Sequence, residues 1–220
     1  VDEARAGGRG RLLMGAVWAA LLCALWLWGR AVTEVPYASW PATGDLTAAG
    51  RPPVRELPPP HAPLAPAPPR LLAIRAMGLK APVEAHGLTR EGAAEPPPYD
   101  RAGAVAWYRG GPQPGSTGAA VLVGHVDTDR APAVFYRLGD LRRGETVTVD
   151  RADGTTAEFT VDDVTVVGKD HFDPGRVYGP HAPGRAELRL ITCGGDYDHA
   201  RRAYDANVVV SAYLTGTGPA

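Results

Sequence analysis

Cysteine, lysine and net charge are all scarce in this chain of 220 residues, and each scarcity excludes something. Cysteine occurs twice, at Cys23 and Cys193. Cys23 falls inside an apolar run, so the two do not make a disulfide framework. No C-x-x-C and no Cys/His spacing suggests zinc, and no metal or cofactor is expected. The formal net charge is only −1, so there is no overall basic field to hold nucleic acid. Lysine is nearly absent beside arginine, which reads as a coding bias and not as a mechanism. What the chain has in quantity is proline (22) and glycine (27). Its length suits one domain with an appendage.

Residues 1–11 are short and basic, with Arg5, Arg9 and Arg11. Residues 12–29 (LLMGAVWAALLCALWLWG) carry no charge and just reach the length that spans a bilayer. Trp26 and Trp28 near the end of the run fit an interfacial anchor. The arginines before it outnumber Arg30 after it, which predicts a cytoplasmic N-terminus and an extracellular remainder. The rival reading is a cleaved signal peptide. The run is long for that, and no clean A-x-A site follows. Residues 30–70 read as a linker, with eleven prolines between Pro36 and Pro69. Such a stretch prefers polyproline II, and could hold a domain on the order of 100 Å from the membrane.

A folded domain is expected over residues 71–220. Short alternating or β-branched runs near 71–75, 78–83, 105–108, 119–126, 145–150, 155–167, 188–193 and 208–214 read as strands. Asp153-Gly154 predicts a two-residue hairpin turn, and Val147, Val149, Phe159, Val161, Val164 and Val166 look like core. Phe135, Leu138 and Leu141 recur at helical spacing and predict a short helix. Seven or eight short strands with little helix predict an all-β fold, as a closed barrel.

Two strand ends carry the chemistry. Residues 188–195 (LRLITCGG) place Leu188, Leu190 and Thr192 on one face and Arg189, Ile191 and Cys193 on the other. A strand that ends on cysteine fixes the sulfur on rigid backbone. Gly194 and Gly195 should keep the space beside it open and let the chain turn away. Upstream, residues 119–128 (AAVLVGHVDT) form another apolar strand that ends in a polar cluster at His125. Alone, each residue has a bland reading, as a structural histidine or a buried thiol. Together they supply what a cysteine nucleophile needs, a base or imidazolium partner.

"VLVGHVDT" followed by "LRLITCGGDYD…ANVVVSAYL" resembles the sortases, the cell-wall transpeptidases of Gram-positive bacteria, and is most similar to the actinobacterial class F. The resemblance covers roughly residues 71–214. It implies an eight-stranded barrel, with Cys193 as nucleophile and His125 as acid and base. It also implies cleavage of an L-P-x-T-G-like sorting signal between Thr and Gly, with transfer to an amine of a peptidoglycan precursor. The family uses an arginine beside the oxyanion, between the cysteine strand and the next. The candidates here are Arg201 and Arg202, and Arg202 is the assignment. One departure stands out. Where many relatives have Y-R-D-N-V, this chain has Tyr204-Asp205-Ala206-Asn207-Val208, with aspartate in the arginine's place.

The remaining polar residues carry weaker signals. Asp127 either orients the imidazole or is an exposed turn residue. Thr192 is expected to make strand hydrogen bonds, and Trp107 and Tyr108 to be core. His171, His181 and His199 lie in loops. By resemblance the 169–184 loop reads the sorting signal, so His171 or His181 either contacts substrate or is solvated. His61 and His86 carry no signal. Other functions fit less well. An L,D-transpeptidase would show an S-H-G-C cluster, and a papain-like hydrolytic peptidase sets its cysteine on a helix. A non-catalytic binding module on a stalk would not need a reactive thiol.

Overall fold

The computed structural model describes residues 56–198 and 203–220. Eight strands close into a barrel: β1 (Pro69–Ile74), β2 (Leu79–His86), β3 (Val105–Tyr108), β4 (Gly118–Val123), β5 (Thr146–Arg151), β6 (Thr155–Gly168), β7 (Ala186–Asp198) and β8 (Ala203–Pro219). The order around the barrel is β1-β2-β3-β4-β7-β8-β6-β5. The sheet is mixed: β2–β3 and β4–β7 are parallel and every other pair is antiparallel. The expected transmembrane segment, residues 12–29, lies outside the described residues. Among the described residues no helix is long and apolar enough to cross a membrane.

Strand alternation sorts side chains into two layers. Leu72, Ile74, Val105, Leu122, Val149, Phe159, Leu188, Leu190 and Val210 fill the barrel interior. A second cluster forms on the outside, where Ala106, Val121, Val123, Ile191 and Val209 meet Val177, Phe172 and Tyr178. The outer cluster exists because β4 is apolar on both faces, as a strand covered on both sides must be, and β7 adds Ile191 beside it. Its cover is the connection between β6 and β7, which holds one short helix, α1 (Pro174–Tyr178), capped by the Asp173 side chain on Gly175 N.

Several local expectations change. Phe135, Leu138 and Leu141 are all buried, but the segment is a single 3-10 turn, Leu138–Asp140. Gly139 in its middle disfavours a longer helix. The β5–β6 loop has three residues rather than two. Gly154 N donates to Arg151 O at 3.2 Å, and Gly154 takes φ +80°, a turn followed by a left-handed glycine. Val164 is half-buried and Val166 is exposed, since the strand outruns the barrel there. Residues 57–69, read as linker, lie against the barrel. His61 N donates to Leu214 O and Leu64 N to Gly115 O, both at 2.8 Å, and Ala67 is buried.

Candidate active site

β4 and β7 run parallel and in register, with Val123 beside Ile191. Two residues further along each chain come His125 and Cys193, and a step of two keeps a side chain on the same face. Both therefore reach the outer face of the barrel, side by side. Gly124 N still donates to Ile191 O at 3.2 Å, so the pairing persists past the end of β4. A Cβ at Gly124 would lie 2.7 Å from Phe135 Cδ2 and 2.7 Å from Val134 Cγ1, so glycine lets the core close under the histidine.

Cys193 is free and exposed. The two glycines after it do not turn the chain away. β7 continues to Asp198, and Cys193 pairs with Asn207 of β8. Gly194 is buried, and a Cβ there would lie 2.6 Å from Val208 Cγ2. Gly195 has φ +81° and sits where the β7–β8 register slips, a bulge that bends the hairpin beside the thiol. A Cβ on Gly195 would overlap Asp205 Oδ1, which accepts from Asp196 N at 2.8 Å. Asp205 thus fastens the bulge.

His125 is held from the β2–β3 connection. Its Nε2 donates to Pro97 O at 2.6 Å, and a carbonyl can only accept, so that nitrogen carries hydrogen. Nδ1 is left to exchange protons in this arrangement. The Tyr99 ring stacks on the imidazole, with centroids 4.4 Å apart and planes 21° from parallel. Asp127 orients something else: it accepts a hydrogen bond from the Tyr204 hydroxyl, tying the histidine loop to β8. Thr192 is buried and paired with Val208 in the β7–β8 ladder, and its hydroxyl has no partner among the described residues.

Cys193 and His125 border a cavity of about 420 Å³. Ala94, Val123 and Ile191 form apolar walls, and Phe172 and Tyr178 pack edge to face at 5.5 Å on the β6–β7 side. Burial raises the Tyr178 hydroxyl above its ordinary pKa, so it stays neutral. Trp107 is core, with Nε1 donating to Pro112 O at 3.0 Å, and Tyr108 packs on the outer cluster.

The β6–β7 connection is anchored by a buried ion pair on the outer face of β7. Glu187 and Arg189 are 0% and 1% exposed and 2.5 Å apart. Glu187 also accepts from His181 N, Ala182 N and Arg185 Nε, each at 2.9 Å, while Arg189 Nη2 donates to Gly179 O at 2.8 Å. Burial alone would raise the Glu187 carboxyl, but these donors outweigh it and its pKa is lowered.

The other described histidines do not border the cavity that Cys193 borders. His171 and His181 border a second cavity that Cys193 does not. His61 and His86 hydrogen-bond to Ala62 O and Glu84. His199, Arg201 and Arg202 lie outside the described residues. Pro97, Tyr99, Glu187 and Arg189 were missed from sequence. A signal existed for the last two, as opposite charges two apart on the strand face that carries Cys193.

Comparison with curated proteins gives no match. Among solved structures the chain is similar to sortase A of Actinomyces oris (20% identity, TM-score 0.54), covering 75% of this chain and 89% of that one. It is also similar to sortase C-3 of Streptococcus pneumoniae (17%, 0.51, covering 70% and 66%) and to a lid mutant of sortase A of Corynebacterium diphtheriae (19%, 0.51, covering 74% of each). At such identities these neighbours speak to the fold alone. Residues 72–215 match the sortase domain, and the chain belongs to the sortase family of cysteine transpeptidases.

Proposed function

We propose that this protein is a membrane-anchored sortase of the class F type, held by residues 12–29 with its barrel outside the cell. It cleaves an L-P-x-T-G-like signal between Thr and Gly and passes the acyl group to an amine of a peptidoglycan precursor. The observation that carries this reading is the parallel β4–β7 register, which sets His125 beside Cys193 at one apolar cavity.

The Cys193 thiolate attacks the threonine carbonyl carbon and forms a tetrahedral oxyanion. Arg202 donates to that oxygen, with Arg201 the other candidate, and is worth several kcal/mol in such a place. The C–N bond then breaks. His125, as imidazolium, protonates the departing glycine amine, leaving a thioester and a neutral imidazole. The acceptor amine attacks the thioester and gives its proton to His125. The thiolate departs, and a new amide has replaced the old one. The Pro97 carbonyl and the Tyr99 ring hold the imidazole through both transfers.

Mass spectrometry of the protein incubated with an L-P-x-T-G peptide tests this. Wild type should gain an acyl adduct on Cys193 and release a fragment that begins with glycine. Cys193→Ala should lose both while its circular dichroism is unchanged. Arg202→Ala should lower turnover about 100-fold or more, and Arg201→Ala much less. Turnover by Cys193→Ala would overturn the assignment.

A further inference from the structure

Only two of the 23 lysine and arginine residues are lysine, Lys80 and Lys169, and they stand in different settings. Lys80 is exposed on β2. Lys169 follows β6 directly, opens the 3-10 turn Lys169–His171, and borders the cavity that Cys193 and His125 share. Of the described residues around that cavity it is the only Lys, Arg, Asp or Glu. Its neighbour Asp170 faces His171 instead, at 3.4 Å. Among the described residues, Lys169 has no carboxylate within ion-pair distance. Two carboxylates near the site are engaged elsewhere, Asp127 with Tyr204 and Asp205 with the Asp196 amide. Among the described residues, an ammonium on a flexible four-carbon stem thus rims a mainly apolar groove with no carboxylate partner.

We propose that Lys169 is a specificity-determining residue that pairs with a carboxylate side chain on the sorting signal, at its variable position. This rests on the sorting-signal reading above. A peptide laid in the groove buries its apolar side chains against Val123, Ile191 and the Phe172–Tyr178 pair. One glutamate reaching the rim then meets the ammonium. An aspartate, one methylene shorter, reaches less well.

Competition between peptides measures this directly. The full chain is given equimolar peptides that differ only in Glu, Gln or Lys at the variable position, with hydroxylamine as acceptor. Product ratios give relative kcat/KM. Wild type should favour Glu over Gln by about fivefold, as expected for an ion pair at a partly solvated rim, and should disfavour Lys. Lys169→Gln should bring the Glu/Gln ratio near one, and Lys169→Glu should reverse the order to favour Lys. The wild-type preference should shrink in 1 M salt. An unchanged Glu/Gln ratio in Lys169→Gln overturns the proposal. So does an effect seen only when hydroxylamine is replaced by an amine that carries a carboxylate, which would assign Lys169 to the acceptor. If wild type turns over none of the peptides while Cys193 alkylates normally, the sorting-signal reading falls and this proposal falls with it.

Discussion

The histidine is the residue whose surroundings say most about how this site works. In the proposed mechanism the base exchanges protons twice per cycle and must keep one orientation, and free rotation about its side chain would spoil both transfers. In many hydrolases a carboxylate gives that orientation. Here Asp127 is engaged by Tyr204, and a proline carbonyl and a stacked tyrosine take its place. The Tyr99 contribution is separable from its hydroxyl, because stacking needs only the ring. Tyr99→Ala should slow alkylation of Cys193 by iodoacetamide and lower kcat about twofold to tenfold, the range expected of one aromatic pair. Tyr99→Phe should restore both. A tyrosine that merely packed the loop would lower thermal stability and leave the thiol's reactivity alone. Neither Pro97 nor Tyr99 was legible in the sequence as a site residue. They lie 28 and 26 positions before His125 in a stretch that looks only like a turn, and a contact made by chain return leaves no local period.

At the level of elements, β7 does two jobs on one face. Its middle presents Cys193, and its near end holds Glu187 and Arg189, which pin the segment carrying Tyr178 over the groove. The alternation that placed the thiol outside was readable from LRLITC, and so was the placing of His125 and Cys193 at neighbouring strand ends, which the structure brings to one cavity. The reason for a buried charge on that face was not readable, because it depends on which loop folds back to cover it. The cost of losing the pair is large in principle. Glu187→Gln leaves Arg189 buried with no counter-charge and should destabilise the domain by about 3 kcal/mol at neutral pH. Acid should expose the same linkage. The native Glu187 carboxyl titrates below its unfolded value of about 4.3, so its stabilisation is complete above that pH and is lost as pH falls through the lower native value. Urea unfolding between pH 7 and pH 3 should show wild type losing stability in the acid range. The variant should lack that part of the slope. Equal slopes would remove Glu187 as the titrating group.

For the whole molecule, the sequence suggested a barrel on a free proline-rich tether, and the barrel part was well marked because every strand carries its own alternating or β-branched run. The edge of the domain was not marked. Proline supplies no N–H and cannot join a ladder as an ordinary strand does, so a proline-rich segment reads as linker whether or not it is packed. Here the residues between the prolines make the contacts. His61 and Leu64 donate backbone hydrogen bonds to the barrel, and the Pro58 carbonyl accepts from the Tyr213 hydroxyl at 2.6 Å. The Ala65 carbonyl accepts from Arg151, a side chain only 2% exposed. The strap therefore satisfies a buried cation that nothing in β5 or β6 fully satisfies, since Arg151 otherwise reaches only Thr155 Oγ1 at 3.0 Å and Asp153 at 3.4 Å. A chain cut to begin at Leu71 should lose these contacts together. Compared with one that begins at Glu56, it should melt at least several degrees lower, as a loss of about 2 kcal/mol or more gives in a domain of this size. Arg151→Met in the shorter chain should recover part of the loss, because it removes the stranded charge. Equal melting temperatures for the two chains would show that the strap only lies on the barrel, and the domain would then begin where the sequence first placed it.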